Sequence, residues 1–297
     1  MNRRLWFALL LAVTACWGIS FTIIHDAVTT ADPYAFVAAR FFGAAVLLLL
    51  GAYRRILRAT TKATVRDGAI LGFFMGAGYL LQTVGIARAT PSFAGFLTGL
   101  SVVMIPILLR VEGRRLPRVA WIAIIVAIFG LAALTLEEGR FELTTASVHL
   151  LGCAMAYAVQ VVLTSKYVGR HDVLALTFVE LTTVAALGSV VAVIRGAVDH
   201  DTTVTAPFSG LQHVWPAIAF TAVACTLLAY LVMNWAQRVI SAWEAGLVFA
   251  MEPAFAAGYS MLTQAEPFRG KILIGGAFVV CAMLMSEWTQ NASSEPV

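Results

Sequence analysis

The feature that most constrains this chain is a succession of apolar runs of about twenty residues, separated by short connections that carry most of the charge. A helix rises 1.5 Å per residue, so about twenty apolar residues cross the ~30 Å hydrocarbon core of a bilayer. The runs do not alternate apolar and polar residues as the strands of a membrane barrel do. Charged residues make up only 12% of the chain, about half the fraction of a soluble domain. The pattern predicts an all-α integral membrane protein.

We predict ten transmembrane helices, at about 5–24, 33–53, 68–87, 92–109, 119–136, 146–165, 173–194, 214–234, 241–262 and 271–288. The longest connection, about 195–213, contains Thr, Pro and Gly and is predicted to be irregular. Alternating connections hold fourteen Lys and Arg on one side and five on the other, with Arg40 alone inside a span. Because cytoplasmic loops carry the excess of Lys and Arg, both termini are predicted to be cytoplasmic.

The two halves of the chain resemble each other in the spacing of their polar residues. Three pairs of positions match in order: Trp17 and Arg40 with Tyr157 and Glu180, Tyr79 and Gly95 with Tyr230 and Gly246, and Gly130 with Cys281. We predict two five-helix repeats, residues 1–137 and 138–297. Five is an odd number, so the second repeat enters the membrane inverted, an arrangement that recurs in secondary transporters.

Four charged residues are candidates for membrane depth inside the predicted spans: Arg40, Glu180, Glu244 and Glu252. A charge at the centre of a transmembrane helix costs about 2.5–3.5 kcal/mol on insertion scales, so each requires a cavity, a partner or a neutral form. Glu252 precedes Pro253, whose ring disturbs the carbonyl of Phe249. Glu244 lies near a helix end, where it can reach the interface. Arg40 has two interpretations: it binds a ligand, or it pairs with a glutamate or caps backbone carbonyls and holds helices together.

Uncharged polar residues recur at helical spacing in five spans: Trp17 and Ser20; Tyr79 and Gln82; Ala94, Thr98 and Ser101; Tyr157, Gln160 and Thr164; Thr226, Tyr230 and Asn234. Any one of these stripes fits ordinary helix packing, which favours small residues and hydroxyl groups. Together their aromatic and amide groups suit a central ligand pocket. The fifth and tenth helices carry almost no polar residues and are predicted to be lipid-facing scaffold or an oligomer contact.

We therefore predict a substrate site that combines these charges and stripes: Trp17, Arg40, Tyr79, Gln82, Thr98, Ser101, Tyr157, Gln160, Glu180, Tyr230, Asn234 and Glu252. The aromatic rings would supply stacking surface and the amides would bond polar groups. Arg40 would hold a carboxylate or an internal partner. Glu180 or Glu252 would meet an ammonium or carry a proton.

The sequence lacks the motifs of several other classes. It has no phosphate-binding Gly-x-x-x-x-Gly-Lys-[Ser/Thr] loop and no paired histidines with metal-ligand spacing, so no cofactor, metal or ATP hydrolysis is expected. Its four cysteines lie in apolar runs and indicate neither a disulfide framework nor a metal site. Two alternatives to transport stay open: a membrane enzyme using Glu252 and Glu180 as an acid/base pair, and a non-transporting receptor or assembly subunit.

The sequence resembles the drug/metabolite transporter superfamily, in particular its ten-helix EamA-type branch, over about residues 5–288. The resemblance rests on these segments: Trp17-Gly18 with Ser20-Phe21, residues 36–40 and 79–89, Ser92 to Gly99 with Pro106, and Met251 to Ala257. It departs from the family pattern at Glu180, where an amide is common, and at Ala265, where Gly usually precedes Glu266.

The resemblance implies a central cavity formed by helices one to four and six to nine. Many relatives export amino acids, including aromatic amino acid exporters of the YddG type and threonine/homoserine exporters. Others carry nucleotides, vitamins or sugar phosphates. We therefore expect a secondary transporter, a monomer or homodimer in the bacterial inner membrane, that exports amino acids by alternating access with possible proton coupling. A nucleoside, a vitamin or an amine is the alternative substrate.

Overall fold

The structure is a computed structural model of the 297-residue chain. It describes residues 3–114, 116–135, 144–200 and 206–265, together with a few helical positions between 270 and 285. All regular secondary structure within these residues is helical.

The helices of the first half are α1 Arg3–Ala27, α2 Pro33–Ala59, α3 Lys62–Ile86, α4 Pro91–Gly99, α5 Ser101–Val111 and α6 Arg118–Thr135. Those of the second half are α7 Thr145–Tyr167, α8 Val173–His200, α9 Trp215–Ala222, α10 Ala229–Ala236, α11 Ala242–Phe249 and α12 Glu252–Leu262. A 3₁₀ helix, Ala206–His213, precedes α9, and a π-helical turn, Val223–Leu228, joins α9 to α10.

These elements form eight helices long and apolar enough to cross a membrane, and α6 adds a shorter apolar helix over Arg118–Gly130. Three of the eight are built from pieces: Pro91–Val111, Trp215–Ala236 and Ala242–Leu262. The predicted ranges up to 241–262 all fall on these helices. The predicted range 271–288 lies largely outside the described residues.

The boundaries of several helices differ from the prediction. α2 continues to Ala59 and α3 begins at Lys62, so both extend beyond the apolar runs into the basic segment between them. α8 continues to His200, although the connection was expected to begin near residue 195. Arg and Lys are good helix formers, and their long stems keep the charge in water while the helix continues. Hydropathy alone therefore underestimates helix length here.

Two connections in the halves have the same local structure. Asp32 caps α2 by accepting from the backbone N–H groups of Tyr34 and Ala35, at 2.9 and 2.8 Å. Asp172 caps α8 in the same way, accepting from Leu174 and Ala175 at 3.0 and 3.2 Å. A side-chain oxygen at this position satisfies amide groups that the first helical turn leaves free. The two caps lie 140 residues apart, the separation between Arg40 and Glu180.

Two broken helices cross at the centre of the molecule. One breaks at Leu100, between α4 and α5, and the other after Ala250, between α11 and α12. The second break follows the residue whose carbonyl Pro253 was expected to disturb.

The contacts at this crossing are reciprocal. Gly95 of α4 packs on α12, where an added Cβ would lie 3.1 Å from Pro253 Cα. Gly246 of α11 packs on α5, where an added Cβ would lie 2.7 Å from Ile105 Cδ1 and 3.9 Å from Val102 Cα. Gly95 and Gly246 are 151 residues apart, as are Val102 and Pro253. Each half therefore presents the same contact to the other, as two units related by a two-fold axis do.

The surrounding helices pack around this crossing. α1 contacts α12, and α7 contacts α5, while α2 packs along α8. α6 lies outside, with Ile122, Ile125 and Phe129 at 49, 50 and 65% exposure. Such an apolar surface is suited to lipid, as predicted for the fifth helix.

Candidate functional site

A cavity lies beside the crossing of the broken helices. It has about 520 Å³ of space between atoms, its opening included. The residues that line it come from both halves of the chain: Trp17, Ser20, Arg40, Tyr79, Gln82, Thr98, Ser101, Tyr157, Gln160, Val161, Tyr230, Met233, Phe249 and Glu252.

The structure brings ten of the twelve predicted site residues to this cavity. They are Trp17, Arg40, Tyr79, Gln82, Thr98, Ser101, Tyr157, Gln160, Tyr230 and Glu252. Glu180 and Asn234 do not line it. Every stripe of polar residues therefore brings at least one member to the same space, whereas the members Ala94, Thr164, Thr226 and Asn234 do not line the cavity.

Arg40 is fixed in the wall of the cavity by neutral groups. Its Nε donates to Thr226 Oγ1 at 2.6 Å, and its Nη2 donates to the Cys225 carbonyl at 3.0 Å and the Tyr79 hydroxyl at 3.5 Å. The guanidinium also lies 4.7 Å from the centre of the Tyr79 ring. These bonds use Nε and Nη2 and leave Nη1 for another acceptor. The side chain is 1% exposed, and no carboxylate pairs with it in the described part of the chain.

The π-helical turn Val223–Leu228 explains how Arg40 is held. A π turn widens the helix and departs from the regular pattern of backbone bonds, which is common at functional sites. The Cys225 carbonyl in this turn accepts from Arg40 and also from Trp17 Nε1, at 2.7 Å. One carbonyl thus connects two cavity residues from α1 and α2. The turn lies within the helix predicted over 214–234, and its sequence contains neither Pro nor Gly.

Tyrosine rings form one side of the cavity. The Tyr79 ring lies 5.4 Å from Tyr157 and 6.3 Å from Tyr230, centre to centre and edge to face. The Tyr230 hydroxyl donates to the Tyr79 hydroxyl at 3.3 Å. Trp17 contacts Tyr230 at 5.9 Å and Phe249 at 5.3 Å. Such contacts keep the rings in place and present apolar faces to a ligand.

Amide and hydroxyl groups also line the cavity. Tyr157 donates to Gln82 Oε1 at 3.1 Å, and Gln82 Nε2 lies 3.5 Å from Thr98 Oγ1. Gln160 donates to Thr164 at 3.0 Å. Each amide retains hydrogen-bonding capacity beyond these contacts, because Gln has two donor hydrogens and an oxygen with two lone pairs.

Glu252 is the acidic residue of the cavity. It is the first residue of α12, directly after the break, where the positive end of the helix dipole favours a negative charge. It is 8% exposed and lines the same space as Arg40. No hydrogen bond or ion pair holds its carboxylate within the described residues. The cavity therefore contains one positive and one negative side chain that do not neutralise each other by contact.

Glu180 and Glu244 have other environments. Glu180 is fully buried between α8 and α10, where Oε2 accepts from Asn234 Nδ2 at 2.8 Å and Oε1 has no partner among the described residues. Asn234 also donates to Thr177 at 2.8 Å. Glu244 caps α11 by accepting from the Ser241 backbone at 2.9 Å, and it pairs with Arg3. Glu244 is thus structural, in keeping with its position at a helix end.

The predicted site residues omitted five contributors: Ser20, which was named only in its stripe, and Val161, Cys225, Met233 and Phe249. Apolar side chains in a membrane helix do not stand out, and a backbone carbonyl has no sequence signal. Phe249 had one available signal, because it lies 151 residues after Thr98, the offset that relates Tyr79 to Tyr230. No group of three or more His, Cys, Asp or Glu residues suited to a metal occurs in the described part of the chain.

Comparison with known proteins adds to this geometry. The model of the EamA-like transporter family matches residues 4–136 and again residues 144–288. The chain belongs to the EamA-like transporter family. This EamA-like transporter is 25% identical over 296 residues to an uncharacterized transporter of Archaeoglobus fulgidus, which covers 95% of this chain and 86% of that protein. It also shares its fold with a protein of known crystal structure, with a TM-score of 0.75 at 14% identity over 99% of this chain and 100% of that one.

Family membership and the eight apolar helices make the chain a multi-pass membrane protein. The family and the relative point to transport of a small molecule through a lipid bilayer rather than to catalysis.

Proposed function

We propose that this EamA-like transporter is a secondary transporter that exports amino acids across the bacterial inner membrane by alternating access. The observation that carries the proposal is the coexistence of Arg40 and Glu252 in one cavity without an ion pair between them. An α-amino acid carries one carboxylate and one ammonium group, so its charges complement those of the cavity. A charge in a low-dielectric site is stabilised by a partner, and a zwitterion supplies both partners at once.

The other lining residues would recognise the rest of the substrate. Arg40 Nη1 would donate to the carboxylate, and Glu252 would accept from the ammonium group. Trp17, Tyr79, Tyr157 and Tyr230 would contact the side chain, while Gln82, Gln160, Thr98 and Ser101 would bond its polar groups. Glu180 and Asn234 would act from behind the wall, by fixing α8 against α10.

The matching caps and the reciprocal glycine contacts support a pair of inverted repeats, residues 1–137 and 138–297, with both termini in the cytoplasm. Two equivalent halves around one cavity have two arrangements of similar energy, each open to one side of the membrane. Glu252 would also be the carrier if export is coupled to protons. A monomer or a homodimer is compatible with this scheme.

Counterflow in liposomes tests the proposal. Liposomes containing purified protein are loaded with unlabelled amino acids and diluted into the labelled amino acid, and uptake is compared with that of empty liposomes. We expect transient accumulation of zwitterionic amino acids, which Glu252→Gln reduces. Accumulation of nucleosides, vitamins or simple amines in place of amino acids would reject the assigned substrate class. Chemical conversion of the labelled compound by the protein would point to an enzyme.

A further inference from the structure

A second cavity lies at one end of the bundle, where α5, α7 and α10 end and α11 begins. It has about 850 Å³ of space between atoms, its opening included. Its polar lining consists of Arg114, Ser165, Gln237, Arg238 and Ser241. We call this second cavity the vestibule. It is not part of the site described above, because the two cavities share no lining residue.

The vestibule and the central cavity lie along the same helices. On α7, Val161 lines the central cavity and Ser165 the vestibule. After α10, Gln237 lines the vestibule one turn beyond Met233, which lines the central cavity. Four residues of helix span about 6 Å. The two spaces are therefore stacked, and a molecule leaving the vestibule along these helices would enter the central cavity.

The contact between Ile105 and Gly246 separates the two spaces. Ile105 lies on α5 between Ser101, in the central cavity, and Leu109, in the vestibule. Gly246 lies on α11 opposite Ile105, with no room for a Cβ at 2.7 Å from Ile105 Cδ1. Ile105 has no exposed surface. This apolar contact lies between the two spaces along α5.

The walls of the vestibule carry excess positive charge. Arg114 and Arg238 line it, and Lys166 follows Ser165 at its edge. Glu112 is shared, since it pairs with Lys166 and lies 3.9 Å from Arg114 Nε. Arg238 donates to the carbonyls of Val168 and His171, which carry no net charge. Among the described residues, Glu112 is the one carboxylate that lies within 4.0 Å of any of these three cations. Nearby, Arg3 and Glu244 neutralise each other.

The buried amide of Gln237 is a second, independent indication that the vestibule binds a ligand. It lines the vestibule and is only 5% exposed, yet neither Oε1 nor Nε2 of its amide has a hydrogen-bond partner among the described residues. A buried amide without partners costs about 1–3 kcal/mol, so such groups are uncommon unless something else satisfies them. A rotation of the Gln237 side chain would bring Nε2, which has almost no accessible surface here, into the vestibule, where it would donate to an anionic oxygen.

We propose that the vestibule is a recognition site for the anionic group of the transported molecule, a carboxylate in the case of an amino acid. It holds this group before the molecule passes the Ile105–Gly246 contact to Arg40. The inference rests on the proposed function for the identity of the ligand, but the anion preference of the vestibule is testable without transport.

The test measures the reactivity of a thiol placed in the vestibule. Ser165→Cys is introduced, and the purified protein is treated with an anionic or a cationic methanethiosulfonate reagent, with labelling at position 165 quantified by peptide mass spectrometry. Each labelling rate is divided by the rate of the same reagent with a free thiol, and the ratio of the anionic to the cationic value is taken. We expect this ratio to exceed one. Arg114→Gln should lower this ratio about fivefold, because one charge attracts one reagent and repels the other. Arg114→Lys should preserve it.

Arg118→Gln is the matched control, because Arg118 is exposed on the same end of the bundle and does not line the vestibule. An equal effect of Arg114→Gln and Arg118→Gln, or no effect of either, would overturn the anion site. A counterflow substrate should also slow the labelling. If only anionic lipid micelles slow it, the assignment to the substrate is wrong. If the labelling ratio is as predicted but the protein transports no amino acid, the anion site is supported and only the proposed function is rejected.

Discussion

Arg40 and Glu180 lie 140 residues apart, the same separation as the helix caps Asp32 and Asp172, yet their surroundings differ. Arg40 lines the central cavity, and neutral groups bind its Nε and Nη2. Glu180 lies outside the cavity, closed between α8 and α10, with Asn234 as its partner. Two residues at a matched separation along the chain therefore need not have the same role. The negative charge of the cavity comes instead from Glu252, at a break that both halves contain.

The cause of this asymmetry lies in the helix that faces each residue. Arg40 meets the π-helical turn, whose Cys225 carbonyl and Thr226 hydroxyl are both acceptors. Glu180 meets Asn234 of α10, an amide donor. Each residue thus has partners of the complementary kind, but only the partners of Arg40 leave part of the charged group directed at the cavity.

The largest effect is expected from Arg40→Ala. The change removes the positive charge of the cavity and leaves the Cys225 carbonyl and Thr226 hydroxyl with fewer donors. Hydrogen bonds to charged groups are worth about 1.5–3 kcal/mol each, so counterflow should fall by roughly ten- to a hundredfold and the melting temperature should decrease. Arg40→Lys keeps the charge and should fold normally with intermediate transport. Unchanged transport in both variants would exclude Arg40 as a ligand.

Glu252→Gln should have the next largest effect. The amide has nearly the same shape but cannot attract an ammonium group as an ion. We expect the KM of counterflow for an amino acid to rise about tenfold or more, with the melting temperature nearly unchanged. A substrate analogue that lacks the amino group is the control, and its transport should not respond. An equal response of both compounds would show that Glu252 does not face the ammonium group.

A smaller effect is expected from Trp17→Phe. The change removes the Nε1–H donor to the Cys225 carbonyl, a bond worth about 0.5–1.5 kcal/mol, and keeps an aromatic ring. Transport should fall about two- to tenfold. Because Trp17 and Arg40 share this carbonyl, the combined variant with Arg40→Lys should depart from the product of the single effects. Independent effects would contradict the shared acceptor.

The smallest effect is expected from Glu180→Gln. The amide retains an oxygen that accepts from Asn234, and the residue lies off the cavity. The KM should stay within about twofold of the parent protein. A rise in KM comparable with that of Glu252→Gln would contradict the position of Glu180 outside the substrate site, because it would place Glu180 in contact with the substrate.

The sequence was sufficient to predict an all-helical membrane protein and the positions of its first nine spans, because membrane spans are limited by length and hydropathy. It also located most of the cavity, since polar residues such as Gln82 and Gln160 are costly in lipid and therefore converge on one another. It did not separate Glu180 from Glu252. That distinction depends on the rotation of α8 relative to α10, which a spacing of 23 residues does not determine.

The π-helical turn was also beyond prediction. Val223 to Leu228 contains no residue that favours a wider turn, and the turn exists because its carbonyl and hydroxyl groups bind side chains from α1 and α2. Such long-range partners have no local signal. By contrast, the break before Glu252 was predictable, because Pro253 acts on its own helix.

The most direct test of a cavity that binds a zwitterion through Arg40 and Glu252 is the selectivity of ligand binding to the purified protein, measured by calorimetry. A transported amino acid is compared with its analogues that lack the carboxylate or the amino group. We predict that the parent protein binds the zwitterion at least about tenfold more tightly than either analogue. Glu252→Gln should lose only the discrimination against the analogue without the amino group. Equal affinity for all three compounds, in the parent protein and the variant, would contradict zwitterion binding by Arg40 and Glu252.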